Sequence, residues 1–312
     1  MQNKKRFIFV TLAILVVLLA VFLVYSNMQT KKHADISGES KINVYVTFNA
    51  MKEFAEAVGG DKVKIYTIIP DGTEPHEFEP KAQDLSGLGN AKVFIYSGLG
   101  MEPWADKAVA AANNKGLISV NASNGCEPIV NKNEEEIKEH GQYDPHIWLS
   151  LKGAEIEVKN IKDAFVKADP VNKNYYEERS RIYISKLEDL FSLYEGKFKS
   201  VPKKSFVTGH AAFAYLCRDF GLKQNSVEDV FAEGEPSAQQ LAKLVNYCRE
   251  NKVTTIFAEE MASPAISKTL ANEVGAKINT IYTIENNEDS KPYLQRMEEN
   301  LNKIYVSISD KV

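Results

Sequence analysis

Residues 42–69 read INVYVTFNAMKEFAEAVGGDKVKIYTII, and residues 205–227 read SFVTGHAAFAYLCRDFGLKQNSV. Each begins with an apolar, β-branched run (Ile42 to Thr47, Ser205 to Thr208) that hands over to a stretch with helical spacing, through Phe54 and Val58 or through Phe213 and Leu216. Each helix runs into glycine, Gly59-Gly60 or Gly221, and a second strand follows. Glycine just past a helix fits a left-handed cap, so Gly59 and Gly221 are expected to serve as caps. Strand, helix and strand in this order make a parallel βαβ unit.

A second unit follows in each half. Lys92 to Tyr96 leads through a helix at Ala105–Ala112 to Leu117 to Val120, and Thr255 to Ala258 leads through Ala265–Val274 to Ile278 to Tyr282. The chain therefore reads as α/β, with two βα lobes of mostly parallel sheet. Between them, Tyr175 to Lys199 is a long amphipathic stretch with no proline and no glycine before Gly196, starting after Asp169-Pro170 and ending before Pro202. It predicts a rigid connecting helix that limits hinge closure. The expected organisation is a first lobe at 41–168, the connecting helix at 169–200 and a second lobe at 201–312.

The amino-terminal 40 residues have a different character. Lys4, Lys5 and Arg6 precede an apolar run from Phe7 to Tyr25, interrupted by Thr11 alone. As a helix it would measure roughly 28 Å, close to the hydrocarbon core of a bilayer at ~30 Å. The preceding cations would stay in the cytoplasm and everything after Tyr25 would lie outside. Residues 1–26 are thus expected to anchor the chain in the membrane, with a cleaved signal segment as the alternative, and residues 27–40 to form a polar tether. No cysteine precedes Cys126, which argues against a lipid-modified terminus.

At 312 residues, 44% hydrophobic and 26% charged, with a net charge of −4, the composition suits two globular lobes. The mild acidity favours cations and argues against nucleic acid as a partner. Three cysteines outside the cell leave at least one unpaired. Cys217 and Cys248 read as buried small hydrophobes, with a bridge between them as the alternative.

Five histidines occur, and three share a setting. His76 lies in Pro70-Asp71-Gly72-Thr73-Glu74-Pro75-His76, His146 in Asp144-Pro145-His146-Ile147-Trp148, and His210 in Thr208-Gly209-His210. Each follows proline or glycine where a strand or loop passes to a helix, and ligands of open α/β sheets bind beyond the carboxyl ends of strands. The three are too far apart in sequence for a zinc finger, whose ligands come in close pairs, and suit a site built between lobes.

These motifs resemble the solute-binding subunits of zinc and manganese ABC importers. Glu235-Pro236-Ser237, Phe257-Ala258-Glu259 and Ser263-Pro264 fit the same pattern, and the resemblance runs from about Lys41 to Ile304. It implies a metal site at the lobe interface, held by His76, His146, His210 and a carboxylate after the last strand. Glu285 matches that carboxylate, with Glu288 and Asp289 as rivals. It also implies capture outside the cytoplasm and delivery to an ABC permease in the membrane by a protein that is a monomer and not an enzyme.

Three imidazoles and one carboxylate suit Zn2+, whereas Mn2+ prefers more oxygen ligands; capture of Mn2+ (or Fe2+) by the same importer class is the alternative. Binding needs neutral imidazoles, so affinity should fall as pH drops below ~6.5. Asp144 and Glu259 are expected to accept the second N–H of a ligating imidazole, with capping of the turn before His146 as the equal alternative for Asp144, and Trp104 and Trp148 to pack the lobes. His140, in the acidic stretch 133–141, reads as solvated, with weak cation recruitment as the alternative. A metal-dependent hydrolase lacks its motif, because His76-Glu77-Phe78-Glu79-Pro80 has no second histidine and no nucleophile elbow occurs. A surface adhesin fits the outward topology but has no repeat array behind it.

Overall fold

The computed structural model describes residues 41–131, 137, 141–228, 237–259, 264–287 and 289–309. The expected anchor at 7–25, the tether at 27–40, His140, Glu288, Glu235, Pro236 and Ser263 lie outside the described residues.

The first lobe runs β1 (Ile42–Val46), α1 (Asn49–Gly59), β2 (Val63–Thr67), α2 (Ala82–Leu85), β3 (Val93–Tyr96), α3 (Ala105–Ala111), β4 (Ile118–Asn121) and α4 (Leu151–Ala168). After the connecting helix α5 (Lys173–Ser200), the second lobe runs β5 (Ser205–Thr208), α6 (Ala214–Phe220), β6 (Lys223–Ser226), α7 (Ala238–Glu250), β7 (Thr255–Glu259), α8 (Pro264–Val274), β8 (Lys277–Ile281) and α9 (Tyr293–Ser309). Both sheets are parallel and have the same order, β2-β1-β3-β4 and β6-β5-β7-β8. Val44 pairs with Ile65 and Val93, as Val207 pairs with Asn225 and Ile256, so the two copies of one plan share their central strand.

Near-continuous apolar runs such as Val93-Phe94-Ile95 are what a parallel strand covered on both faces requires. One buried cluster joins residues of both lobes: Val44, Phe54 and Trp148 of the first with Phe206, Phe257, Ile281 and Ile304 of the second. Smaller clusters cover the outer faces, around Phe94 and Leu88 in the first lobe and around Ile256 and Cys248 in the second. Because the lobes share an apolar core, large separation would expose it to water, at a cost of roughly 25 cal/mol per Å2.

The 28 residues of α5 extend about 42 Å and bury Tyr176, Leu187, Tyr194 and Phe198. The helix packs on α4 and α1 of the first lobe and on α6 and α9 of the second, as a rigid link should. Helix α9 reaches back to the first lobe, where Tyr293 donates from its hydroxyl to the Trp148 carbonyl over 2.6 Å.

Two local expectations change. Gly221 caps α6 in the left-handed region at φ +65, but in the first lobe Gly59 is still helical at φ −81 and Gly60 makes the turn at φ +50. The helix runs one residue further than expected, and a Cβ on Gly60 would meet the Tyr175 hydroxyl of α5 at 2.3 Å. Cys126, Cys217 and Cys248 are all free thiols, so the alternative Cys217–Cys248 bridge is absent, and the two buried ones act as small hydrophobes.

Candidate metal centre

Each of the four candidate residues stands beyond the carboxyl end of a parallel strand. His76 follows β2, His146 lies between β4 and α4, His210 sits two residues past β5, and Glu285 lies four residues past β8. The two lobes thus contribute two side chains each to one point between them. His76, His146, His210 and Glu285 offer ligand atoms that all lie within 4.8 Å of one another, and all four residues are buried. His76 Nε2 is 3.1 Å from His146 Nε2, and each is 3.9 Å from Glu285 Oε1. The His146 and His210 ring centroids are 4.7 Å apart, with the rings nearly perpendicular. Around a tetrahedral zinc ion with bonds of ~2.0–2.1 Å, ligand atoms stand about 3.3 Å apart, so these separations bracket what such an ion needs.

The surroundings explain why the side chains point where they do. Asp144 Oδ1 accepts from the His146 backbone N–H (2.9 Å) and lies 3.0 Å from the ring Nδ1, with both residues buried. That bond puts the proton on Nδ1 and leaves Nε2 with its lone pair facing the cluster. The Asp144 carbonyl accepts from the Tyr215 hydroxyl at 2.7 Å, which ties this turn to α6 of the other lobe.

His210 is held through its backbone. Its carbonyl accepts from the Thr208 hydroxyl at 2.6 Å and from Gln224 Nε2 at 2.7 Å. Glu259 corrects the expectation drawn from its position, because its Oε1 takes the His210 backbone N–H at 3.0 Å and so fixes the loop. A Cβ on Gly209 would stand 2.3 Å from Glu259 Oε2, which is why glycine precedes this histidine. Burial pushes the Glu259 carboxyl up to about 7, with the His210 N–H pulling it down.

The Glu285 loop is fixed from three sides. Thr283 Oγ1 donates to Glu285 Oε2 at 3.0 Å, Trp148 Nε1 donates to the Thr283 carbonyl at 2.8 Å, and the Asn49 N–H donates to the Glu285 carbonyl at 3.2 Å. Between Thr283 and Glu285, Ile284 has φ +60, a left-handed conformation that is strained for a β-branched residue and is sustained by these flanking bonds. Asp289 faces Lys291, whose Nζ is 3.0 Å from its Oδ2, and stands outside the cluster. Trp148 is fully buried with its ring edge on Phe48 at 4.8 Å, and Trp104 packs on Phe78 and Phe94, so both tryptophans are packing groups as expected. Thr283, Gln224 and Tyr215 carry no local sequence signal, because each acts on a residue brought near by the fold.

The family model for zinc-uptake complex component A, periplasmic, matches residues 44–306. The chain belongs to the zinc-uptake complex component A family. Among its relatives, a Treponema pallidum (strain Nichols) chain described as metal-binding is 42% identical over 285 residues, covering 89% of this chain and 90% of that one. The high-affinity zinc uptake system protein ZnuA of Bacillus subtilis (strain 168) is 39% identical over 310 residues, covering 94% and 97%. The laminin-binding protein Lmb of Streptococcus agalactiae, described as bifunctional with adhesin and metal transporting activity, superposes with a TM-score of 0.79 at 30% identity, covering 86% of this chain and all of that one. The match to the zinc-uptake complex component A family includes the stretches that carry all four candidate ligands.

Proposed function

We propose that this chain captures Zn2+ outside the cytoplasm, holds it with His76, His146, His210 and Glu285, and delivers it to an ABC permease in the membrane. The observation that carries this reading is the convergence of four buried ligand atoms within 4.8 Å, two from each lobe. Three neutral imidazoles and one carboxylate neutralise half of the ion's charge and match the borderline character of zinc; Mn2+ would seek further oxygen ligands. A closed four-ligand shell leaves no position for an activated water, so the reading includes no catalytic step. The zinc-uptake names of the relatives point the same way. The adhesin activity in the description of Lmb belongs to that protein, and buried ligands between lobes speak for transport here.

Residues 7–25 serve in this reading as the anchor and 27–40 as the tether of a monomer whose lobes, at 41–168 and 201–312, flank the connecting helix at 169–200. Titration of the metal-free protein against a chromogenic zinc chelator tests the reading. It predicts one tight zinc per chain, preference for zinc over manganese, and loss of tight binding on alanine substitution of His76, His146 or His210. Tight binding that survives two of those three substitutions would overturn it.

A further inference from the structure

Arg296 of α9 is fully buried, about 240 residues in sequence from its ionic partner Glu53 on α1. An isolated buried guanidinium is costly, and its pairing here is specific. Nη2 binds Glu53 Oε1 across the lobes, while Nη1 donates to the Asn286 carbonyl at 2.6 Å. Asn286 directly follows Glu285, so one planar group grips the first lobe with one nitrogen and the acid's own loop with the other.

Glu53 gathers more of the same junction. It accepts from the Asn49 side-chain amide at 2.7 Å and from the Tyr293 backbone N–H, and Tyr183 of α5 faces both charges. The Asn49 backbone N–H in turn donates to the Glu285 carbonyl, and the Gly72 N–H of the His76 loop donates to Asn286 Oδ1 at 2.8 Å. Helix α1, the connecting helix, α9 and the loops of two candidate ligands thus meet around one ion pair whose guanidinium is fully buried.

We propose that the Arg296–Glu53 pair positions Glu285, so that the acid is presented to the three imidazoles only while the lobes are packed together. This rests on the reading of Glu285 as a zinc ligand. Arg296 and Glu53 touch no ligand atom and are positioning residues. If the lobes shift at the permease, Arg296 loses Glu53 and the Glu285 carbonyl loses the Asn49 N–H, so the carboxylate, freed from both first-lobe holds, leaves before the imidazoles. The remaining three-nitrogen site holds zinc more weakly.

The test is a double-mutant cycle on the full chain, comparing wild type, E53Q, E285A and E53Q/E285A, with R296K alone and with E285A as a second arm. Lysine keeps the charge of arginine but cannot span both partners with one planar fork. Zinc affinity is read by chelator competition, and the melting temperature of the metal-free protein is read alongside. E53Q and R296K are expected to weaken zinc about tenfold in the wild-type background and less than twofold when Glu285 is already absent, a coupling within the usual range for linked sites. The melting temperature falls equally in both backgrounds. Equal losses of affinity in both backgrounds, or no loss from either E53Q or R296K, overturn the proposal while leaving Glu285 as a ligand. An E285A protein that binds zinc as tightly as wild type overturns the ligand reading and the positioning role with it.

Discussion

Replacing Asp144 separates orientation of a ligand from its presence. The carboxylate makes two contacts with one residue, to the His146 backbone at 2.9 Å and to its ring Nδ1 at 3.0 Å, with both partners out of water. A hydrogen bond to a charged group contributes about 1.5–3 kcal/mol, and each 1.4 kcal/mol is about tenfold in affinity. Asp144→Ala should therefore weaken zinc by about 10- to 100-fold, the range found when the acceptor behind a metal-ligating histidine is removed. Asp144→Asn keeps an oxygen for the turn and for Nδ1–H but loses the charge, and should fall between alanine and wild type. Competition against a chelator of known affinity at pH 7.5 reads the effect. An alanine variant that binds zinc within twofold of wild type would refute the argument that this carboxylate fixes the tautomer and direction of His146.

Other outcomes follow from buried groups elsewhere. Glu157 on α4 is fully buried, with the Ser97 hydroxyl 3.4 Å from one oxygen, and burial followed by the nearby Glu102 carboxyl raises its pKa well above the usual carboxylate range. The folded state holds that proton more tightly than the unfolded chain, so its contribution is complete below ~4.3 and is lost as pH rises through the folded value. Melting temperatures from pH 5 to 8 should therefore decline more steeply for wild type than for E157Q, and parallel curves would contradict this. Gly209→Ala drives a methyl into Glu259 Oε2 and should destabilise the protein by about 1–3 kcal/mol in chemical denaturation while weakening zinc; a neutral effect would mean that the loop has room the geometry denies. Without reductant, the denatured protein should yield three reactive thiols in a dithionitrobenzoate assay, and a count of one would reveal a bridge.

The sheets and the four converging residues were legible because they depend on local signals. Apolar runs such as Val93-Phe94-Ile95 mark covered parallel strands, and proline or glycine beside each histidine marks a strand-end loop. Helix α4 has a sequence signal that lies outside the strand–helix–strand pattern. Ser150 accepts from the Gly153 N–H at 2.9 Å as its cap, and Leu151, Ala154, Val158, Ile161 and Phe165 follow at helical spacing. Helix α9 was harder, because its buried stripe of Tyr293, Met297, Leu301, Ile304 and Ile308 is interrupted by Arg296 and Asn300. Buried polar residues imitate a solvated face until their partners are known. Asn300 holds both backbone groups of Tyr282, and the ionic partner of Arg296 lies on the far lobe. Glu259 misled for a related reason: its place at the end of β7 fits an imidazole acceptor, and only the path of the chain at Gly209 shows that the backbone N–H meets it. At Gly59-Gly60, either glycine can end a helix, and it is Gly60, beside Tyr175 of α5, that takes the positive φ.

Anomalous diffraction at the zinc absorption edge, from crystals of the zinc-loaded protein, addresses the metal centre most directly. The arrangement of His76, His146, His210 and Glu285 predicts one strong peak between the lobes, about 2.0–2.2 Å from one nitrogen of each imidazole and one oxygen of the carboxylate, with no further ligand. A peak elsewhere, or one bound by fewer than three of these residues with water completing the shell, would contradict it.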